Sequence, residues 1–406
     1  MAPRNVIATQ PLAGSILKMT ARYSAIKGKA LLLLLFLWLL WFMNFSARTI
    51  FSPLMPLIED EFAIRHARAG SFFVFNALGY GIALFFSGIF AGRCGYKRSI
   101  LFSLILAAGT FFLIPLVKSF AFLCVLSLAL GLASGIYLPS IIPLITHYYN
   151  PRSWGKAIAI HDSAASVSIF AVPFIALFLL NFFDWRQIFN VFGGVSILCI
   201  LVFTLSVTEL KTSPPTGRVH DHLFRRRSLW IIALLWIIAS GNNLGVYFIL
   251  PLYLIKELHL DSVYANEIFG FSRIGGVFVA IAAGFIVDRF SLKKTMRILV
   301  LLTGILTLFL TFTHGRFLEI SLFLQAAMGF GFFPVGLVTI SRIFPEEQRS
   351  QATGYIITLG VVFGLGIIPY LLGIAGDSPG FRYGIAALGI LAILSGGLVY
   401  QIREIE

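Results

Sequence analysis

The stretch Gly88-Ile-Phe-Ala-Gly92-Arg93-Cys-Gly95-Tyr-Lys97-Arg98 ends a long apolar run with small residues, a tight turn and a cluster of cations. A second stretch, Gly284-Phe-Ile-Val-Asp288-Arg289-Phe-Ser-Leu-Lys293-Lys294, repeats this order of features 196 positions later. Other landmarks recur at almost the same interval: Trp185-Arg186 with Phe381-Arg382, Arg152 with Arg349, and Pro139 with Pro334. A repeat of this length predicts that one helical bundle is followed by a second copy of itself.

The composition places most of the chain in a membrane. Of the 406 residues, 58% are hydrophobic and only 12% are charged, whereas a soluble domain is about one quarter charged. The formal charge is +14, but most of the 31 Lys and Arg fall in the tails and in loops predicted to lie on one side. This asymmetry sets orientation and predicts that the basic side is cytoplasmic. It argues against nucleic acid as a partner, and the three cysteines predict no disulfide framework.

Turn and charge signals divide the apolar part of the chain into twelve runs, each long enough to span a bilayer as a helix. The runs are 30–55, 69–91, 99–117, 121–147, 154–180, 186–208, 229–255, 266–287, 296–313, 317–341, 350–374 and 381–402. We therefore predict an all-α membrane protein with two pseudo-symmetric six-helix bundles. The predicted divisions are a cytoplasmic tail at 1–29, the first bundle at 30–208, a basic linker at 209–228, and the second bundle with a short tail at 229–406. Both termini are expected on the cytoplasmic side of a bacterial inner membrane.

The repeated stretch resembles the signature of the major facilitator superfamily of secondary transporters. That signature follows the second and eighth helices and contains a glycine, then Asp-Arg, a glycine and paired basic residues. The resemblance covers about residues 30–403 and implies alternating access. It also implies that Asp288 grips the start of the fifth helix near Arg152, whereas Gly92 cannot make the matching contact near Arg349. The residues of this predicted conformational latch are Gly88, Arg93, Arg98, Arg152, Asp288, Arg289 and Arg349.

Three ionisable residues stand clearly inside predicted spans: Arg48, Asp162 and Arg273. Such groups usually face a wet cavity or a partner. One acid cannot neutralise two arginines, so an anionic ligand could supply the missing charge. The alternatives are structural pairing among the three or extension of the arginines to the interface. The arginines are expected nearer the outer side than Asp162. Asp162, or its neighbour His161, is a candidate for proton coupling; the alternative is a structural role for both.

Several polar residues in the spans could complete a substrate cavity. Asn242 and Asn243 lie between Gly241 and Gly245, where amides beside glycines weaken a helix and expose backbone carbonyls. Each residue could equally form an interhelical hydrogen bond. The predicted substrate-binding set is Arg48, Arg273, Tyr80, Asn76, Tyr137, Asn242, Asn243, Tyr247, Gln325 and Tyr355.

A closer resemblance concerns organic-anion carriers. The segments Arg48-Thr-Ile-Phe-Ser-Pro-Leu-Met-Pro56 and Phe72-Phe-Val-Phe-Asn-Ala-Leu-Gly-Tyr80 resemble the anion:cation symporter family, in which the matching arginine and tyrosine line the anion site. Ser134 and Ala47 replace acids that this family associates with ion coupling. Arg273, which stands fifteen residues before Asp288, is similar to the eighth-helix arginine of monocarboxylate and oxalate transporters.

These observations predict a secondary active transporter of a small organic anion, such as a carboxylate, with proton coupling as a further hypothesis. The partners expected are the anion, H⁺ and lipid, and the chain is expected to be a monomer. Two alternatives remain open: an efflux carrier for lipophilic compounds, suggested by 41 Phe, and a transporter-like solute receptor. No enzyme motif, cofactor loop or metal-ligand spacing is apparent in the sequence.

Overall fold

The computed structural model describes residue 23, residues 25–209 and residues 221–405, without the side chains of residues 221, 222, 277, 284, 287 and 288. Most of the predicted N-terminal tail and about half of the predicted linker therefore lie outside the described residues. The described part is almost entirely helical. Apart from helices it contains one isolated β-bridge, between Tyr23 and Tyr149, and no named strand.

Twelve helical segments follow one another in the described ranges. They are α1 (Lys29–Phe62), α2 (His66–Cys94), α3 (Tyr96–Leu116), α4 (Phe120–Tyr148), α5 (Pro151–Leu180), α6 (Trp185–Ser206), α7 (Arg227–Glu257), α8 (Ser262–Phe271 with Ile274–Arg289), α9 (Leu292–Leu310), α10 (Arg316–Ile343), α11 (Glu346–Asp377) and α12 (Phe381–Gln401). Eleven of them are long and apolar enough to cross a membrane. The twelfth is α9, whose 19 residues include three cations near its start. The predicted all-α membrane fold is confirmed.

The first helix extends further than the sequence predicts. Its predicted end is residue 55, but the helix continues through Pro56 to Phe62. It consists of two helices, Lys29–Thr49 and Phe51–Phe62, which meet at Ile50. Pro53 falls in the first turn after this junction, where a missing backbone N–H costs little. The extension carries Glu59, Asp60 and Glu61 to the predicted outer end of the segment.

The internal repeat is visible in matching ion pairs. At the predicted outer end of the first half, Arg186 Nη2 lies 2.7 Å from Glu61 Oε1. In the second half, Arg382 Nε lies 3.1 Å from Glu257 Oε1. Each pair joins the end of the first helix of its half to the start of the sixth helix. The acid of one pair and the acid of the other are 196 positions apart, as are the two arginines.

Glycines bring α2 and α4 into close contact. A Cβ placed at Gly131 would lie 2.1 Å from the Asn76 carbonyl oxygen, and one at Gly135 would lie 2.5 Å from the Tyr80 carbonyl oxygen. Both distances are shorter than a van der Waals contact, so a larger side chain would push the helices apart. Small residues let membrane helices approach this closely. The contact also fixes the position of Tyr80.

The two halves pack together on the predicted outer side. One buried hydrophobic core there contains residues of both halves, including Phe51 and Phe72 from the first and Tyr247 and Phe269 from the second. On the predicted cytoplasmic side, the described buried residues form two separate cores, each confined to one half. The structure is therefore closed on the predicted outer side.

Candidate functional site

Arg48 lies next to the junction in α1 and is buried, with 6% of its surface exposed. Its guanidinium carbon lies 4.4 Å from the centre of the Phe45 ring and 4.4 Å from the centre of the Tyr80 ring. A guanidinium over an aromatic face is stabilised by the ring quadrupole. Two of its three nitrogens, Nε and Nη2, have no hydrogen-bond partner among the described residues.

Arg273 stands at the interruption between the two parts of α8 and is 2% exposed. Its guanidinium carbon lies 5.0 Å from the centre of the Tyr247 ring and 5.5 Å from the centre of the Phe269 ring. Within the described ranges, none of its three guanidinium nitrogens has a hydrogen-bond partner. Arg273 thus repeats the arrangement of Arg48 in the other half: a buried cation on two aromatic rings.

Tyr247 connects the surroundings of the two arginines. Ser52, one turn after Arg48, donates through Oγ to the Tyr247 carbonyl oxygen at 2.8 Å. The Tyr247 hydroxyl donates to the Ile169 carbonyl oxygen of α5 at 3.3 Å, while its ring lies beneath Arg273. Helices α1, α5, α7 and α8 therefore meet at one place. Arg273 contacts this place and Arg48 lies one turn from it, so we call it the arginine junction.

The ion pairs of the described residues leave both arginines out. The basic partners in those pairs are His66, Arg98, Arg186, Lys256 and Arg382. Of the alternatives left open by the sequence, pairing of Arg48 or Arg273 with a described carboxylate does not occur. Neither side chain reaches the surface. A buried guanidinium without a carboxylate or a full set of hydrogen bonds is costly, so this junction is suited to receive an anion.

The predicted amide residues lie elsewhere, inside the second half. Asn242, Asn243 and Gln325 are fully buried, and Asn242 and Asn243 lie in a π-helical turn, Gly241–Gly245. Gln325 Nε2 donates to the Asn242 carbonyl oxygen at 2.6 Å and lies 3.1 Å from Thr307 Oγ1. The helix is irregular at these glycines, but the Asn242 carbonyl oxygen accepts from the buried Gln325, so its predicted exposure to a ligand stays a prediction.

The remaining predicted substrate-binding residues are dispersed. Asn76 donates to the Ser127 carbonyl oxygen at 3.1 Å, and Tyr137 donates to the Leu37 carbonyl oxygen at 3.2 Å. Both hydrogen bonds lie within the first half. Tyr355 is half-buried, with its ring 4.7 Å from that of Phe224, at the predicted cytoplasmic end. The structure brings together Arg48 with Tyr80 and Arg273 with Tyr247. Tyr137 and Tyr355 have the other contacts given above, and Asn76, one turn before Tyr80, donates to α4 instead.

Asp162 and His161 differ in accessibility although they are adjacent. His161 is fully buried and stacks on Trp41 and Tyr137, with its Nε2 3.4 Å from the Tyr137 hydroxyl. The side chain of Asp162 is exposed, two turns before Ile169 in α5. Asp162 therefore lies further toward the predicted cytoplasmic side than the arginine junction, as the sequence predicts.

The described side chains of the predicted latch contact their own half or are exposed. Arg98 Nε lies 3.9 Å from Glu209, and Arg349 Nη2 donates to the Ser341 carbonyl oxygen at 2.8 Å. The Asp288 side chain lies outside the described atoms. A Cβ at Gly88 would meet nothing within 4 Å. Arg93, Arg152 and Arg289 are exposed. The latch concerns the state closed on the cytoplasmic side and stays a prediction.

Sequence reasoning missed the aromatic partners Phe45 and Phe269. They stand three and four residues before their arginines, the spacing at which helical side chains meet, so a search at that spacing could have found them. It also missed Glu209, whose carboxylate accepts from the backbone N–H groups of Lys97 and Arg98 at 3.1 and 3.2 Å. An acid thus caps the start of α3 from the linker, more than one hundred residues away.

The family model of the Major Facilitator Superfamily matches residues 37–315 and 268–404. The chain belongs to the Major Facilitator Superfamily. It is similar to the hexuronate transporter of Bacillus subtilis (strain 168), with 21% identity over 65% of this chain and 65% of that protein. It is also similar to the probable nitrate transporter NarT of Staphylococcus haemolyticus (strain JCSC1435), with 24% identity over 88% of this chain and 94% of that protein.

A solved structure shares the fold of this superfamily member. It is a bacterial homolog of the human lysosomal transporter Spinster in an inward-facing, occupied conformation, with a TM-score of 0.79 and 15% identity over 92% of this chain and 97% of that chain. As a member of this superfamily, matched by its family model, the protein is a membrane-embedded secondary transporter of small solutes and not an enzyme. The arginine junction lies beside the buried core that both halves of the chain share.

Proposed function

We propose that this transporter carries a small organic anion, with a carboxylate as the group recognised by Arg48 and Arg273. The observation that carries the proposal is the pair of buried guanidinium groups with no carboxylate partner among the described residues. An anion entering the junction would accept charge-assisted hydrogen bonds from the free guanidinium nitrogens. The aromatic rings would hold the guanidinium planes in place.

Two relatives support an anion rather than a neutral or lipophilic substrate. One is named for hexuronate, an organic anion, and the other for nitrate, an inorganic one. The guanidinium group suits both because it is planar and can donate two parallel hydrogen bonds. The lipophilic-efflux alternative needs both arginines paired with protein carboxylates, which the described ion pairs do not provide.

Transport and binding can be measured on the same variants. We expect purified protein in proteoliposomes to exchange a carboxylate or sugar acid in counterflow, and the same compound to raise the melting temperature. Arg48→Ala and Arg273→Ala should each weaken binding about 10- to 100-fold, the loss expected for a hydrogen bond to a charged group. Arg316→Ala, which removes an exposed arginine at the start of α10, is the control.

The outcomes separate the alternatives. Binding without counterflow would favour a solute receptor. Counterflow of lipophilic cations that is insensitive to both arginine variants would favour an efflux carrier and contradict the proposal. Loss of carboxylate exchange in Arg48→Ala and Arg273→Ala, with folding and the Arg316→Ala control intact, would support it.

The proposal also includes coupling, orientation and assembly. Asp162 is the better candidate for a proton-carrying group because it is exposed, whereas His161 is buried against two rings. The excess of cations on one side supports cytoplasmic termini in a bacterial inner membrane. The halves form one buried core with each other, which supports a monomer as the functional unit.

A further inference from the structure

His66 lies where the two halves meet on the predicted outer side. It begins α2, and Asp377 at the end of α11 accepts from its backbone N–H at 2.8 Å. The centre of the His66 ring lies 4.7 Å from that of Phe381, the first residue of α12. A Cβ at Gly373 of α11 would lie 2.4 Å from the His66 carbonyl oxygen. Two helices of the second half therefore pack against this histidine in the closed structure.

The imidazole of His66 pairs with a buried carboxylate of its own half. Nδ1 lies 2.9 Å from each carboxylate oxygen of Glu59, a residue that is 6% exposed. Within the described ranges, no other cation forms an ion pair with Glu59. A buried carboxylate is costly unless its charge is compensated. A protonated His66 compensates the charge of Glu59, whereas a neutral ring does not.

The other charged groups around His66 also favour a positive ring. These groups are Glu59 and Asp60 of α1, Lys256 and Glu257 of α7, Asp377 of α11 and Arg382 of α12. Lys256 pairs with Asp60, and Arg382 pairs with Glu257. This leaves Glu59 on one half and Asp377 on the other, both within hydrogen-bonding distance of His66. Without a proton on His66, the repulsion between these two acids opposes closure.

Protons can reach His66 from the predicted outer side. A cavity of about 340 Å³ lies against it, and its lining includes Lys256, Arg382 and the exposed Tyr383. This volume is enough for several waters. The His66 side chain is 23% exposed, whereas that of Glu59 is only 7% exposed. The imidazole is therefore the member of the pair that can exchange protons with solvent.

We propose that His66 is a proton-binding site through which outside acidity keeps the outer side closed. Histidine is the side chain that ordinarily exchanges its proton between pH 5 and 8. Protonated His66 compensates Glu59 and attracts Asp377 of the other half. After loss of the proton, the closed state retains two uncompensated acids, and separation of the halves brings them into water.

The direction of the pH effect follows from this difference between the two states. The proton is stabilised more in the closed state, where both acids lie beside His66, than in the open state. A ligand that binds one state more tightly raises its population, so a lower pH should favour closure and a higher pH should favour opening. This site is separate from Asp162, which lies on the predicted cytoplasmic side, and it does not depend on which solute is carried.

Spin labels at exposed positions 118 and 314 measure this equilibrium in the purified full-length protein without any substrate. The ratio of outer-closed to outward-open molecules should rise at least about fivefold from pH 8 to pH 5, a typical size for coupling between sites. His66→Gln keeps a hydrogen-bond donor but takes up no proton, so it should stay near the ratio that the wild type has at pH 8. Glu59→Gln removes the buried charge and should stay closed at both pH values. His259→Asn, at an exposed histidine between α7 and α8, is the control and should respond like the wild type.

The two variants are expected to lose the pH response in opposite states, so misfolding of one cannot decide the test. That result, with a normal response in His259→Asn, would support the proposal. An unchanged distance between pH 8 and pH 5 in the wild type would overturn it. A pH response that persists in His66→Gln would also overturn it and would assign the response to another group. Failure of carboxylate exchange would refute the proposed function alone, because this measurement contains no substrate.

Discussion

At the scale of single residues, the two arginines show how aromatic rings stabilise a buried positive charge without neutralising it. Each guanidinium lies over two rings, so its faces are covered while edge nitrogens remain free to donate. A carboxylate from the protein would compete with the substrate for the same nitrogens. Aromatic rings avoid that competition because their attraction acts through the faces.

Tyr80 tests this role of the rings. Tyr80→Phe keeps a ring beneath Arg48, and we expect anion affinity close to that of the wild type. Tyr80→Leu removes the cation–π contact, worth about 0.5–2 kcal/mol, and should weaken binding about 2- to 30-fold. Substrate affinity from a thermal-shift titration measures the difference, with Tyr383→Leu at an exposed position as the control. Equal loss in Tyr80→Phe and Tyr80→Leu would assign the effect to the hydroxyl.

Asp162 gives a second prediction at this scale. Asp162→Asn cannot release a proton, so a pH gradient should no longer drive accumulation, while counterflow exchange continues. Uptake into proteoliposomes with an imposed pH gradient, compared with counterflow, provides the measurement. Glu267→Gln removes an exposed acid near the other end of the molecule and should change neither activity. Accumulation by Asp162→Asn at the wild-type level would exclude this aspartate from coupling.

At the scale of helices, close packing of α2 on α4 depends on glycines that face a backbone. A methyl group at Gly131 would lie 2.1 Å from the Asn76 carbonyl oxygen, which cannot rotate away as a side chain can. The same contact fixes Tyr80 one turn further along α2. Packing of the helices and geometry of the anion site are therefore connected.

Two glycine variants measure the packing contribution. Gly131→Ala should lower the free energy of unfolding by about 1–3 kcal/mol because the helices must separate. Gly109→Ala, at an exposed position in α3 with nothing within 4 Å of the added methyl group, should raise it by roughly 0.5–1 kcal/mol. Melting temperatures in detergent measure the change in stability of both variants. Similar changes in the two variants would contradict the importance of the α2–α4 contact.

At the scale of the whole molecule, charged contacts close the predicted outer side. Asp377, at the end of α11, accepts from the backbone N–H groups of His66 and Ala67 at the start of α2, at 2.8 and 3.2 Å. Lys256 of the second half pairs with Asp60 of the first. Asp60 and Lys256 are 196 positions apart and therefore occupy equivalent positions of the repeat. Their contact joins the matching ends of the first helix of each half.

Loss of the Asp377 cap should open this side. Asp377→Ala removes an N-cap carboxylate, worth about 0.5–2 kcal/mol, and should raise the outward-open population relative to the closed one by about 2- to 30-fold. Spin labels at the exposed equivalent positions 118 and 314 would report a longer distance. Asp184→Ala removes a cap of α6 within one half and should leave the distance unchanged. An unchanged distance in Asp377→Ala would refute the closure role.

The predicted latch on the cytoplasmic side should have the opposite effect on the equilibrium between inward-open and outward-open states. Asp288→Asn should favour the inward-open state by about 2- to 5-fold, since a negative charge near a helix N-terminus is worth about 0.3–1 kcal/mol. Gly92→Asp supplies the acid that the first copy lacks and should act in the opposite direction. Spin labels at exposed positions 155 and 350 measure both populations. Unchanged populations in Asp288→Asn would remove the latch from the mechanism.

The sequence alone determined the membrane class, the twelve helices, the duplication and the presence of two arginines and a single acid well inside predicted spans. These features depend on local hydropathy, spacing and charge counts, which are properties of the chain in one dimension. The tertiary structure alone decided that Tyr80 and Tyr247 face the arginines, that Glu61 and Glu257 form matching ion pairs, and that Gln325 joins Asn242 in a separate amide cluster. Such contacts depend on how each helix is rotated about its axis against helices distant in sequence. Hydrophobic periodicity does not predict this rotation, because these helices are apolar on all sides.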